Sequence, residues 1–380
     1  MKNMTIAVAI GAISVMGSAT AKTSVTLFGR VDAGLQYQSV EIENFGKATV
    51  SGMHSGGQAG NRWGLMGSED LDNGLKAIFM LEAGFNLENG TVSDAGRSAF
   101  NRQAFVGLSS DHWGTLTLGR QYNFGFNFFA DIGPFGNNYA LAAQPVTYST
   151  AMVRYDNMLK YVTPTYHGWK AGIGFSKNTG FAGETYKVIK DSSGTNKVDD
   201  TVSGLTAGVR YDGGPIAFTA DFDQLTKVPD ISGKDTGSIK SWLVGGSYDF
   251  DIMKLSVSYG EDRGGRIGAV STNINKLGNV VPVPNARHVE GFKARNYQVG
   301  LSAPLAGGTL MAAWLKSASN HHAVTAGGNG IGSQQSLSLG YSYALSKRTN
   351  LYAVATYVSN PAYIDNAKSQ EYRIGMHHKF

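Results

Sequence analysis

The stretch Gln335-Ser336-Leu337-Ser338-Leu339-Gly340-Tyr341-Ser342-Tyr343-Ala344-Leu345 decides the fold. In an extended chain Leu337, Leu339, Tyr341, Tyr343 and Leu345 share one side, and Ser336, Ser338, Gly340 and Ser342 share the other. Period two is the mark of a strand with one apolar and one polar face. The pattern recurs upstream. Ala77, Phe79, Leu81, Ala83, Phe85 and Leu87 oppose Lys76, Glu82 and Asn86. Ile216, Phe218, Ala220 and Phe222 oppose Thr219, Asp221 and Asp223, and Leu255, Val257 and Tyr259 oppose Lys254, Ser256 and Ser258.

A soluble sandwich alternates in the same way, so three further features are needed. Sixteen strands are spread evenly along the chain, at 24–37, 60–67, 75–88, 98–109, 114–120, 155–163, 168–176, 201–212, 215–226, 240–250, 252–260, 294–303, 308–317, 334–345, 349–359 and 369–380. Short links such as Ser68–Gly74, Ser110–Trp113 and Ser346–Arg348 alternate with long ones such as 38–59, 121–153 and 261–293. The polar faces carry charges of both signs. An even strand number, short turns at one end and long loops at the other suit a closed transmembrane β-barrel, whose polar face lines an aqueous channel. The last strand sets Tyr372, Ile374, Met376, His378 and Phe380 against Arg373, His377 and Lys379. A terminal aromatic suits closure onto the first strand at a membrane interface.

Composition agrees. Fifty glycines in 380 residues is about twice the usual share. Beyond the N-terminus no apolar run approaches the ~20 residues of a membrane helix, so a spanning chain must span as strands. The absence of cysteine excludes disulfides and thiolate metal sites. A formal net charge of +5 is too diffuse for nucleic acid. Lys2, the apolar stretch Thr5–Met16 and the small residues Ala19 and Ala21 read as a signal peptide over 1–21, leaving a barrel domain over 22–380.

The chain resembles the general diffusion porins of Gram-negative bacteria, of the Neisseria and Burkholderia type. The likeness rests on Ser24-Val25-Thr26-Leu27-Phe28-Gly29 with Asp32-Ala33-Gly34, on Asn61-Arg62-Trp63-Gly64-Leu65, and on Gly67-Ser68-Glu69-Asp70-Leu71 with Asn73-Gly74-Leu75-Lys76-Ala77. It continues through Phe100-Asn101-Arg102-Gln103-Ala104-Phe105-Val106-Gly107-Leu108, Gly114-Thr115-Leu116-Thr117-Leu118-Gly119-Arg120-Gln121, Leu345-Ser346-Lys347-Arg348-Thr349-Asn350-Leu351-Tyr352 and His377-His378-Lys379-Phe380. The resemblance implies a 16-stranded antiparallel barrel, a homotrimer set in outer-membrane lipid and lipopolysaccharide, and passage of small hydrophilic solutes without a cofactor. It also implies a third outer loop folded into the lumen, here about Tyr122–Val153. That segment is long, aromatic and almost uncharged, with Phe124, Phe126, Phe128, Phe129, Phe135 and Tyr139.

By the same likeness Arg62, Arg102 and Arg154 form a basic cluster on the wall facing that loop. Arg154 shares a parity with Asp156 and Lys160, opposite Tyr155, Leu159 and Tyr161, which turns it inward. Arg30 is inward by alternation against Val25, Leu27 and Val31. Arg102 groups with Ala104, Val106 and Leu108, so either a bulge intervenes or that face is the lumen. The loop offers one carboxylate, Asp131. Basic groups outnumber acidic ones at this constriction, which implies a mild anion preference. A substrate-specific channel for anionic solutes is the alternative; a plugged or adhesive barrel is a further rival. Enzymatic chemistry finds no support. The histidines flank no nucleophile elbow and form no metal-binding pair at helical spacing, and His321-His322 reads as part of a polar loop. The glycine-rich stretch 327–332 lacks the lysine and helix of a phosphate loop.

Overall fold

The computed structural model describes residues 23–380 apart from 94–98, 144–146, 152, 181–186, 191–195, 200–201, 231–235, 269–279, 282–286, 321–323 and 326–332. The expected signal peptide over 1–21, His321-His322 and all of 327–332 fall outside the described residues. The strands are β1 (Thr23–Ile42), β2 (Gly46–Ser55), β3 (Arg62–Asp70), β4 (Leu75–Gly84), β5 (Gln103–Ser110), β6 (Gly114–Tyr122), β7 (Arg154–Val162) and β8 (Trp169–Ser176). They continue as β9 (Lys187–Lys190), β10 (Asn196–Asp199), β11 (Ser203–Gly213), β12 (Ile216–Pro229), β13 (Thr236–Asp249), β14 (Lys254–Arg263) and β15 (Val280–Val281). The last are β16 (Lys293–Leu305), β17 (Gly308–Ser319), β18 (Val324–Thr325), β19 (Ser333–Ala344), β20 (Thr349–Ser359) and β21 (Ala367–Lys379).

Each long strand pairs antiparallel with the next, and β21 returns to β1, matching Ala367–Lys379 with Arg30–Ile42. No sheet edge is left within the ring, as a bilayer demands. β2 pairs with the outer half of β1 and β3 with its inner half, so the two are halves of one barrel strand. Counted that way the barrel has sixteen antiparallel strands. β9 with β10, and β15 with β18, form two small ribbons apart from it.

The apolar faces look outward. Leu337 and Leu339 are 61% and 56% exposed, whereas Ser336 and Ser338 are 1% and 2% exposed. This inversion of the soluble rule is what lipid outside and polar groups inside require. The connections at the other end are short, two to six residues each. The β3–β4 turn shows why: Asp72, Asn73 and Gly74 all take positive φ (68°, 52° and 73°), the left-handed region that tight turns draw from these residue types.

One expected loop is not a loop. The segment 38–59 continues β1 to Ile42, turns at residues 43–45 and returns as β2. Val40 and Ile42 pack on Ala362, Ile364 and Ala367, so this outer hairpin has its own apolar seat. The real break comes at 56–61. There the buried Asp32 carboxylate accepts the amides of Gly57 (3.1 Å), Gln58 (2.9 Å) and Ala59 (2.8 Å), and the Tyr352 hydroxyl (2.7 Å). Amides that lost a ladder partner thus regain a charged acceptor.

Candidate functional site: an arginine cluster and the segment that faces it

Arg30 on β1 and Arg62 on β3 stand directly opposite one another in the strand register. Like charges so placed repel, and the ladder is weakened unless a counter-charge is near. Glu82 on β4 supplies it. Its Oε1 lies 3.3 Å from Arg62 Nη1 and 3.0 Å from Arg102 Nε, and its Oε2 accepts from Gln103 Nε2 at 3.0 Å. Arg102 also donates to the Tyr122 hydroxyl at 2.6 Å. Arg154 donates to the same hydroxyl at 3.0 Å, with its guanidinium 4.9 Å from the ring centroid. Four arginines are therefore gathered on one wall, with Glu82 tying Arg62 to Arg102, Tyr122 tying Arg102 to Arg154, and Arg30 opposite Arg62.

A cavity separates this wall from the segment 123–153. Arg30, Arg62, Arg102 and Gln58 line one side, and Phe126, Ala130, Asn138 and Tyr139 line the other. The segment leaves β6 at a short helical turn capped by Asn123, whose side chain accepts from Phe126 N. Its root is pinned by β12, four strands further round the ring from β6. Asn123 Nδ2 and the Tyr155 hydroxyl donate to the two oxygens of Asp223 on β12, at 3.0 and 2.8 Å. Further along, Tyr139 N donates to Gln58 O (2.8 Å), Leu141 N to Glu371 Oε1 (3.2 Å) and Ser149 Oγ to Asp262 Oδ1 (2.6 Å), while the hydroxyls of Tyr148 and Ser258 share a hydrogen bond (2.7 Å). These partners lie on the buried faces of β14 and β21 and in the 56–61 break. Burial pushes the Tyr139 phenol up to about 12 and that of Tyr148 higher still. Neither adds negative charge near neutral pH.

The five residues singled out in the sequence are not all brought together. Arg30, Arg62 and Arg102 line the cavity; Arg154 stands behind Tyr122 and reaches the cluster through it. Asp131 is elsewhere. Its oxygens take Nη1 and Nη2 of Arg210, on β11, at 2.5 and 3.0 Å, and its side chain is 69% exposed beside a second cavity with Lys254, Ser256 and Ser302. Arg210 is held in turn by Asp212 (Nε to Oδ2, 2.8 Å).

The question left open for Arg102 is resolved by irregular backbone. Arg102 precedes β5, so it escapes the alternation that turns Val106 and Leu108 outward, 59% and 40% exposed. The parity argument for Arg154 fails for a similar reason. Tyr155, grouped there with lipid-facing Leu159, is fully buried and bonded to Asp223. The register of β6 on β7 slips between Gly119 and Gln121, and Asn157 takes φ 51°, which resets the facing along β7. Glu82, Tyr122 and Arg210 were not assigned to the site in advance. Only Glu82 carried a signal, as a carboxylate on the polar face of an otherwise apolar stretch.

Comparison with known proteins agrees with this architecture. Residues 5–363 match the family described as Gram-negative porin. An outer membrane porin protein of Bordetella pertussis is 37% identical over 390 aligned residues, spanning 96% of this chain and 96% of the relative. Outer membrane porin protein 32 of Delftia acidovorans is 30% identical over 95% of this chain and 90% of its own. Among solved structures, an anion-selective porin from Comamonas acidovorans superposes with a TM-score of 0.69 at 22% identity, covering 94% of this chain and 100% of that one. OmpT of Vibrio cholerae in its trimer form superposes with a TM-score of 0.57 at 13% identity, covering 94% and 99%. With a closed sixteen-strand barrel, an outward apolar belt and relatives of this kind along its whole length, the chain belongs to the Gram-negative porin family and is an outer-membrane porin.

Proposed function

We propose that the cavity between the arginine wall and the 123–153 segment is the constriction of a general diffusion pore with a mild preference for anions. The observation that carries this is the charge count. Arg30, Arg62, Arg102 and Arg154 bring four positive charges, and among the described residues Glu82 is the one carboxylate bonded within the cluster. Asp131 is engaged by Arg210 on another wall. A net positive ring between low-dielectric walls concentrates anions and excludes cations. Arg30, Arg62 and Arg102 act on the solute directly; Arg154 holds Tyr122 in place. The anion-selective porin among the structural neighbours is in keeping with this reading.

The test is the reversal potential of the purified protein in a planar bilayer under a potassium chloride gradient. Anion preference is expected, and cation preference would refute the assignment. Flux that rises linearly with solute concentration marks general diffusion, whereas saturation marks a substrate-specific channel for anionic solutes. The working assembly in this reading is a homotrimer with its long loops toward lipopolysaccharide, consistent with the trimer form of the Vibrio cholerae neighbour. Cross-linking to a three-chain ladder checks it. Residues 1–21 are proposed to be removed on export, so the mature chain should begin at Lys22 by mass spectrometry.

A further inference from the structure

Described residues of the 123–153 segment lie between the cavity and the barrel wall. One side of the segment meets the cavity through Phe126, Ala130, Asn138 and Tyr139. The other side rests on the wall, and what it rests on is unusual. Five inward glycines on five strands lie under its bulky residues. A Cβ built on Gly172 of β8 would fall 2.2 Å from the Phe124 ring, and one on Gly208 of β11 would fall 2.9 Å from both Phe124 and Phe128. On Gly245 of β13 it would fall 2.7 Å from Phe129, on Gly300 of β16 2.3 Å from Pro134, and on Gly340 of β19 2.7 Å from Phe135. None of these separations is possible for real carbon atoms.

The five positions form a belt. Gly172 is directly opposite Gly208; Gly245 is opposite Ser258, Gly300 is opposite Ser256 and Ala313, and Gly340 is opposite Met311. Glycine within a strand weakens it, since it packs nothing and loses more conformational freedom on folding. Five such positions, stepping by two residues along the registers and each beneath a ring of the same segment, mark close approach of another piece of backbone. The rings have little freedom to yield. Phe124 and Phe129 are fully buried, Phe129 meets Tyr148 edge-on with centroids 5.2 Å apart, and Pro134 is part of the main chain.

We infer that the glycines Gly172, Gly208, Gly245, Gly300 and Gly340 are positioning residues that set the aperture, by fixing how far the 123–153 segment stands off the wall and so how close its front comes to Arg30, Arg62 and Arg102. Close-packed protein transmits displacement because it has few voids to absorb it. A methyl group added behind the segment moves its front toward the arginines. The inference rests on the constriction reading above and adds what determines its width.

Single-channel conductance of folded, purified protein tests it. Gly300→Ala and Gly340→Ala should each lower the conductance roughly 1.5-fold, with Gly300→Ala the larger because Pro134 cannot rotate away. Phe135→Leu placed in the Gly340→Ala chain should restore the native value to within about 10%. Gly67→Ala is the control. Its Cβ also meets a ring, Phe79 at 2.0 Å, but on the outward face shared with Val25, and its conductance should stay native. Unchanged conductance in Gly300→Ala and Gly340→Ala, or an equal loss in Gly67→Ala, overturns the inference. Should the alanine variants fail to fold, Phe135→Leu alone decides: trimming the seated ring should raise the conductance, and no change refutes the seat. The two readings fail separately. If Arg62→Gln with Arg102→Gln leaves the reversal potential native, the constriction is misplaced; if that shifts and the glycine variants do nothing, only the belt is wrong.

Discussion

The inner surface of this barrel has two unlike halves. Beneath the 123–153 segment, from β8 round to β19, many inward residues are small, with Gly172, Gly208, Gly245, Gly300, Gly340 and Ser336, and the charged Arg210, Asp223 and Asp262 among them are each bonded to a residue of that segment. From β1 to β7 the inner surface is long and charged, with Arg30, Arg62, Glu82, Arg102 and Arg154. Both halves present one inward face by the same alternation. What separates them is whether a second layer covers the wall. A covered wall must leave room for packed rings, so its side chains shrink. A bare wall must meet water and solute, so its side chains can be large and ionised. In this barrel, then, a run of small inward residues reports where a second layer is seated.

The strongest way to break this contrast is to strip the bare half. Arg30→Ser, Arg62→Ser and Arg102→Ser together should lower the anion-to-cation permeability ratio roughly tenfold, read from the reversal potential. Retained anion selectivity would mean that the charged half does not govern permeation. Next is Glu82→Gln, which leaves two close guanidiniums without their shared carboxylate. It should cost about 3 kcal/mol in urea unfolding while raising anion preference, an opposition that a merely structural carboxylate would not show. A smaller effect is expected from loosening the anchor of the segment. Asp223→Ala frees the Asn123 and Tyr155 donors at the segment's root and should cost about 2 kcal/mol with noisier open-channel current. The smallest belongs to the covered half. Ser338→Ala, whose hydroxyl is bonded to Thr356 and 2% exposed, should leave selectivity native and conductance within about 10%. A selectivity change there would show that solute reaches the wall believed to be covered.

Much of the frame was legible in the chain. Leu337 to Leu345 declared both the strand and the direction it faces, and the short links fell where the turns are, because alternation and turn chemistry are local. Two features hid in plain view. The hairpin made by β1 and β2 looked like a loop because its outer half is polar, although Val40 and Ile42 find apolar partners in the 361–367 region. Tyr155 looked lipid-facing because the bulge at Asn157 reverses parity without a marker in composition. The site was legible in part. Arg30 and Arg62 obeyed alternation; Arg102 lay just outside its strand, where alternation has no authority; and Asp131, expected on the loop at the constriction, is held by Arg210, 79 residues away.

By itself the sequence determined that this chain alternates between lipid and water, how many times it crosses, and which residue types its inner surface can hold. Those follow from the two-residue repeat of extended backbone, which each segment expresses alone. Only the tertiary structure decided which arginines meet at Glu82, which carboxylate is diverted to Arg210, and where glycines make room for a second layer. Those depend on register around a closed ring and on a segment folding back across it, and no stretch of chain contains the partner it will meet.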